Sequence, residues 1–575
     1  MSTQMRAANG AVAAADAAAG GGSMPAGTAG GGRRRSRRRA VPARRRPGIV
    51  VVGALSNLVV VALALSTQAS VAWTLILLLW LNAFLFAAAR MASRTILAAF
   101  LVSFFLLLLG REITIDFFRY ETTQAPPGQT EHLQLCLALS LLGIMLGATA
   151  TEAWRGSARH LLRSGESAPG PDAPTDSVGG GRAYRHGPDR AVGGGRAGAA
   201  LDARGATVLA DPSIVRFLFW ATLVLSLISV GLRARYVLAN GYLSYYTEFS
   251  DLEDASGSMY GLRRIEVMLP LMLAIHLGVF PPRREVTAAV TGWAAYLFLS
   301  LLTGQRGTFV GGLVIILAYW IVRARQDPSG TWRIGAIGRI AGAVAVPLVA
   351  VVLTAVESAR GVGAVASDTA GRNPVLQLLY GQGVSSTVVR NAYTYADFIP
   401  RDWYTGEFLH SGLPARLLGY QVYHGNTVEH ALNGGSFTHA FAYTLLGPQY
   451  LTGRGTGSSF IAELFYDYGY AGVLLGGAVY GAVCIWACNL IKGQPLRNGL
   501  KLMIVPTLLW APRGSATGFL ASWLTPSVVV ALGAVTTLSL AAALLRETEL
   551  AARRGRQGPT AVGEPSSLRA APSGR

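Results

Sequence analysis

The chain has 575 residues, 51% of them hydrophobic and only 14% charged, with a net charge of +20. A soluble domain carries about 25% charged residues, so this composition excludes an ordinary water-soluble globular class and makes lipid the expected solvent. Lys occurs only at Lys492 and Lys501, and much of the Arg excess flanks apolar runs, so the basicity reads as membrane topology rather than nucleic-acid binding.

Residues 1–47 form a low-complexity Gly/Ala/Arg tail with no apolar run near its start, expected to be disordered and cytoplasmic. Its basic cluster, Arg33 to Arg46, fits retention on the cytoplasmic side beside anionic lipid. A helix needs about 20 apolar residues to cross the hydrocarbon core. Spans are expected at 49–66, 71–89, 95–110, 132–150, 215–234, 265–280, 286–303, 308–323, 336–356, 458–490, 500–512 and 518–545. The fold class is therefore all-α: a polytopic transmembrane bundle of about twelve helices with one large structured extracytoplasmic loop.

Arg and Lys in alternate connections place both termini in the cytoplasm. The expected organisation is helices 1–4 over 48–150, a flexible cytoplasmic loop over 151–212, helices 5–9 over 213–356, the extracytoplasmic loop over 357–457, helices 10–12 over 458–546, and a disordered tail over 547–575. The loop is far longer than an ordinary connection. Its aromatic density, from Tyr380 and Tyr393 to Phe441 and Tyr443, argues for a folded segment. Cys136, Cys484 and Cys488 lie in apolar runs, with neither a disulfide framework nor metal-ligand spacing.

Several Arg residues fall on the outer side, where positive-inside sorting does not explain them. Arg306 lies in Thr303-Gly-Gln-Arg-Gly-Thr308, and Arg454 in Gly453-Arg-Gly-Thr-Gly-Ser458. Arg360, Arg372, Arg390, Arg401 and Arg416 lie in the long loop, and Arg513 follows Pro512. Cations at membrane depth cost about 2.5–3.5 kcal/mol. Either an anionic ligand, whose oxygens suit the guanidinium fork, or pairing with Asp397, Asp402 or Glu407 accounts for them. The glycines beside Arg306 and Arg454 leave room for a ligand against the backbone.

Within Gly455-Thr-Gly-Ser-Ser-Phe-Ile-Ala-Glu-Leu-Phe-Tyr-Asp-Tyr-Gly469, Glu463 and Asp467 stand four apart on one helical face. Either carboxylate could act as a general base on a sugar hydroxyl or as the partner of an Arg. His410, His424, His430 and His439 have no metal-ligand spacing, so they are expected at the surface or against sugar. Asp251-Leu-Glu-Asp254 has no phosphate loop beside it. The aromatic run Gly241 to Tyr246 fits an interfacial belt as well as a sugar platform.

Residues 303–307, 455–469 and 241–246 together resemble the O-antigen or oligosaccharide repeat-unit polymerases (Wzy-like), over roughly 215–545. The pairs Arg360/Gly371 and Arg401/Gly412 also fit an Arg-x10-Gly spacing found in some members. The resemblance implies a membrane glycosyltransferase that joins oligosaccharide repeat units carried on polyprenyl diphosphate, on the outer face of the inner membrane. It implies neither cofactor nor metal, and no nucleic acid. Membrane lipid, a flippase and a chain-length regulator are the implied companions. Arg306, Arg454 and Glu463 are then expected to be catalytic. Arg360, Arg390, Arg401, Arg513, Asp467, Trp403 and Tyr404 are expected to bind substrate. A ligase of the same architecture, a transporter and a non-catalytic sensor or scaffold are the competing classes.

Overall fold

In lipid a backbone must satisfy its own hydrogen bonds, which long apolar runs achieve as helices. The computed structural model describes residues 47–120, 126–165, 209–241, 257–327, 329–332 and 373–556, and among them all regular structure is helical. In chain order come α1 (Pro47–Thr67), α2 (Val71–Ala89), α3 (Met91–Phe104), a π-helical turn (Phe105–Leu109), α4 (Gly110–Phe118) and α5 (Pro127–Gly165). Next are α6 (Pro212–Asn240), α7 (Gly257–Gly278), α8 (Arg283–Leu302) and α9 (Arg306–Gln326). Short helices follow: α10 (Pro374–Gln382), α11 (Ser385–Thr394), a 3-10 turn (Tyr404–Leu409), α12 (Gly412–Leu418), α13 (Val428–Asn433), α14 (Phe437–Leu446) and α15 (Pro448–Leu451). Last come α16 (Phe460–Ala487), α17 (Pro495–Trp510), α18 (Gly518–Ala521) and α19 (Pro526–Arg556).

Local chemistry sets several of the starts. The Ser70 hydroxyl accepts the Trp73 N–H at 3.3 Å ahead of α2. Asp211 accepts the Ser213 N–H at 2.8 Å, and Pro212 takes the first helical position of α6, where its missing N–H costs nothing.

Among the described residues, eight helices are long and apolar enough to cross a membrane: 71–89, 93–118, 128–157, 212–240, 283–302, 307–326, 460–487 and 526–553. Each coincides with an expected span. Of the other four expected spans, 49–66 is a shorter apolar helix, Val51–Thr67. The span 265–280 falls in α7, which carries Arg263, Arg264 and Glu266 near its start. The span 500–512 falls in the 16-residue α17, and 336–356 lies outside the described residues.

The apolar side chains form two main clusters. One joins α1–α5 to α11, α14 and α16; the other joins α6–α9 to α19. Helix α17 serves both, giving Ile504, Val505 and Leu508 to the first and Leu502 to the second.

The most extensive helix pairing is α5 against α16, and small residues permit it. Gly143 and Gly147 on α5 face Leu474 and Ala478, while Gly477 and Gly481 on α16 face Ser140 and Ile144. A Cβ added at Gly147 would sit 1.7 Å from the Ala478 carbonyl oxygen, and one at Gly481 would sit 2.0 Å from that of Ile144. Two reciprocal Gly-x3-Gly pairs thus bring the backbones together, which is the membrane's substitute for hydrophobic association.

Gly147→Val should force this seam apart and lower stability by about 1–3 kcal/mol. Gly156→Val on the same helix, where an added Cβ meets nothing within 4 Å, should leave stability unchanged. Thermal unfolding of the detergent-solubilised full chain, followed by fluorescence-detected size exclusion, compares the two.

Candidate active site

Residues 373–459 form a layer of short helices fastened to the membrane helices at named points. Glu112 on α4 accepts the Ser386 hydroxyl at 2.5 Å and pairs with Arg390 on α11. Tyr466 on α16 donates its hydroxyl to the Ile399 carbonyl at 2.9 Å. Asp467 takes the Thr405 N–H and hydroxyl, each at 2.7 Å, and the Tyr404 N–H at 3.3 Å. It thereby caps the 3-10 turn. Thr517 donates to the Thr405 carbonyl at 3.0 Å, and Leu413 N–H to the Leu524 carbonyl at 3.2 Å. The layer and the 511–525 connection are therefore bolted to each other as well as to α16.

At this junction lies a buried polar site. Glu463 is fully buried; one oxygen accepts the Ser458 hydroxyl at 2.6 Å and the other the Ala516 N–H at 2.7 Å. Glu407, on the 3-10 turn, is near enough to Glu463 to feel its charge. The Ser436 and Ser515 hydroxyls and the His430 and His410 imidazoles also lie close to Glu407. Burial pushes the Glu407 carboxyl above the usual carboxylate range, against the pull of those hydroxyls and imidazoles. Its Oε2 is out of solvent and has no hydrogen-bond partner.

The imidazoles are ordered by their neighbours. His430 stacks on His439 with ring centroids 3.7 Å apart. His439 meets the Tyr450 hydroxyl at 2.8 Å. Burial, and then the neighbouring His430, pull His439 down to about 4, so it is neutral near pH 7. His410 lies directly against Gly435, whose φ of +63° and missing side chain make the space.

The sequence-predicted residues divide into three groups. Glu463 and Asp467 meet at the junction, with hydroxyl and backbone N–H partners rather than an Arg. Arg454 is exposed and donates to the neutral Gln449 side chain at 3.2 Å. Its segment runs into Gly457, where an added Cβ would lie 3.9 Å from the Arg513 carbonyl oxygen, and Arg513 sits over the Trp510 ring at 5.9 Å. Arg390 is apart from these, committed to Glu112. Arg401 and Trp403 are exposed, and the Trp403 indole N–H donates to the Tyr468 hydroxyl. Tyr404 is buried against Phe437 and Tyr466, inside the layer rather than on it. Arg306 opens α9, but its side chain lies outside the described residues, as does Arg360 entirely. The aromatic run 242–246 and Asp251–Asp254 also lie outside them. Sequence reasoning treated Glu407 only as a partner for Arg and the histidines as surface or sugar-contact groups. No spacing marks them, because 3-10 turn, α13 and α14 meet only in the folded layer.

Among the described residues the chain is an all-helical, multi-pass membrane protein with a buried polar site between a layer of short helices and its membrane helices. The family model for O-antigen polysaccharide polymerase Wzy matches residues 212–542, so the chain belongs to that family. The match takes in the loop layer, α16 and the 511–525 connection, and agrees with the resemblance drawn from 303–307 and 455–469. No curated protein and no solved structure matches the chain.

Asp467→Ala should release the 3-10 turn. A buried partner left unsatisfied costs about 1–3 kcal/mol, so melting should fall accordingly, and limited proteolysis should cut near residues 400–410 where the native chain resists.

Proposed function

We propose that this junction is where the polymerase joins lipid-linked oligosaccharide repeat units. The donor glycan arrives on polyprenyl diphosphate and is already activated. The acceptor is a sugar hydroxyl of a second lipid-linked unit. The hydroxyl oxygen attacks the donor's anomeric carbon, the bond from that carbon to the diphosphate oxygen breaks, and its electron pair leaves on the diphosphate. Charge therefore grows on phosphate oxygens during the step, and donors fixed beforehand at that position lower its barrier. This makes the chain a glycosyltransferase working at the outer face of the inner membrane, with both termini in the cytoplasm and a flippase and chain-length regulator as companions.

The observation that carries this assignment is the Glu463 clamp. By holding Ser458 and the Ala516 N–H together, it brings the Gly-rich Arg454–Gly457 strand beside the Arg513 turn. Two guanidinium-bearing segments thus converge next to a polar site, with glycines that let a diphosphate reach the backbone. Arg454 and Arg513 are the proposed diphosphate anchors, with Arg306, Arg360 and Arg401 supplying further positive charge. Arg390 is a positioning residue, because its guanidinium holds α11 to α4 through Glu112. Trp403, half exposed at 49% beside Tyr468 at 50%, offers flat faces on which sugar rings stack.

Turnover of a purified lipid-linked repeat unit by the full chain in lipid vesicles tests the proposal, with products resolved by length. Arg454→Ala and Arg513→Ala should each lower the rate by about 10²–10³-fold, the loss typical of one transition-state donor, while melting stays within 2 °C of wild type. Rates within threefold of wild type in both variants would remove them from the reaction. In cells lacking the protein, single unpolymerised repeats are expected; full-length chains stranded on carrier lipid would instead identify a ligase.

A further inference from the structure

Glu463 is the carboxylate that sequence pattern singles out, yet its surroundings leave it no chemistry with a substrate. Both of its oxygens are occupied, by the Ser458 hydroxyl and the Ala516 N–H, and its exposure is 0%. A base must come within about 2.6–3.2 Å of the proton it removes. Glu407 answers the requirement that Glu463 does not meet. As a residue it is half-buried, while its Oε2 is itself out of solvent. One oxygen has no hydrogen-bond partner, so an acceptor position is open. Its backbone is held still: Asp467 caps the turn on one side through Thr405 and Tyr404, and Thr517 bonds the Thr405 carbonyl on the other. His410, whose Nδ1 is likewise out of solvent and unpartnered, lies close to Glu407, as does His430.

We infer that Glu407 is the general base of the transfer, taking the proton from the acceptor's sugar hydroxyl as its oxygen bonds to the donor's anomeric carbon. The inference rests on the polymerase assignment above. The step balances: the O–H pair becomes the new glycosidic bond, the anomeric carbon–diphosphate pair leaves on phosphate, and the proton resides on Glu407 until it passes to water. His430 is set up to assist. Its Nδ1 lies 2.7 Å from the Gly425 carbonyl, which can only accept, so Nδ1 carries the hydrogen and Nε2 is the ring's open position. Protonated imidazoles at His430 or His410 would stabilise the ionised base. Glu463 on α16 opposes its ionisation by like charge, and Arg416 on the adjoining α12 is exposed to water. Glu463 is a positioning residue that fixes the turn facing Glu407.

The same vesicle assay decides it. Glu407→Gln should lower kcat by about 10²–10⁴-fold, the range for loss of a general base, with KM within threefold and an unchanged melting temperature. Glu407→Asp should restore at least tenfold of that loss. Burial raises the Glu407 carboxyl, and only its ionised form accepts a proton. The activity of wild type should therefore fall as pH drops through a midpoint above the ordinary glutamate value of 4.5, and Glu407→Gln should flatten that limb. Glu463→Gln should lower melting temperature while the acid limb persists. A Glu407→Gln enzyme with kcat within threefold of wild type, or a Glu463→Gln enzyme that loses the acid limb at unchanged melting temperature, overturns the inference. Should Glu407→Gln fail to fold, the acid limb of the folded Glu407→Asp decides: it must shift, and an unmoved limb overturns the assignment. A wild-type chain that makes no polymer at all would instead remove the polymerase assignment.

Discussion

The backbone contact between α5 and α16 is the constraint on which the site depends. Four glycines at reciprocal Gly-x3-Gly positions let carbonyl oxygens of one helix occupy the space where side chains of the other would stand. Such a seam admits one register, because a slip of a single residue places a Cβ on a carbonyl. The rotation of α16 about its axis is thereby fixed. Gly469, with φ +63° and ψ −157°, then breaks α16 above the seam, a conformation that strains any other residue. The segment 460–468 is thus re-aimed away from the direction the seam imposes. Its Glu463 and Asp467 point at the 511–525 connection and the 3-10 turn respectively, instead of continuing the lipid-buried face.

The three carboxyl groups at the junction share an environment but not a role, and hydrogen bonding divides them. Asp467 accepts three bonds from Tyr404 and Thr405, and Glu463 accepts one on each oxygen. A buried carboxylate with such partners stabilises the fold, and its removal leaves buried donors unsatisfied. Glu407 has an oxygen with none. An open acceptor in a buried setting destabilises a protein that gains nothing from it, and sites of reaction are where such a penalty persists. The distinction needs both partners of each bond, so it is visible only in three dimensions.

How much was legible in the sequence follows from the range of each signal. Helical spans are local: eight runs of apolar residues near 20 long declared themselves without reference to anything else. Family resemblance was carried by contiguous segments, 241–246, 303–307 and 455–469, and the family model agrees over 212–542. Aromatic content over 373–459 was legible, and among the described residues Tyr404, Phe437, Phe441 and Tyr450 are buried there. The roles within the layer were not. Tyr404 looks like a sugar platform in sequence because nothing there says that Phe437 and Tyr466 will cover it. Glu407 stands in Thr405-Gly-Glu-Phe408, a stretch with no spacing that distinguishes it, and its neighbours come from α13, α14 and the 511–525 connection.

The arginines show the same limit in electrostatic form. A guanidinium near lipid needs a counter-charge or a strong acceptor, and sequence cannot say whether the protein or a ligand provides it. For Arg390 the protein does, since Glu112 lies 278 positions away in sequence yet pairs with it and with Ser386. The same holds inside the second cluster, where fully buried Arg233 pairs with Glu266, which also takes the Ser229 hydroxyl at 2.7 Å and that of Tyr296 at 3.1 Å. In neither place is a diphosphate needed to explain the cation. Arg454 differs: among the described residues its side chain meets a neutral amide, on a strand of glycines, facing water. Water solvates that charge well enough for the apo protein, and it can be displaced by phosphate oxygens without breaking an ion pair first. A guanidinium already paired to a buried carboxylate would have to abandon it, leaving an uncompensated charge worth several kcal/mol. On the proposed function, Arg454 can therefore take a leaving diphosphate without first giving up a buried carboxylate, and burial, which at first sight marks importance, argues against the role.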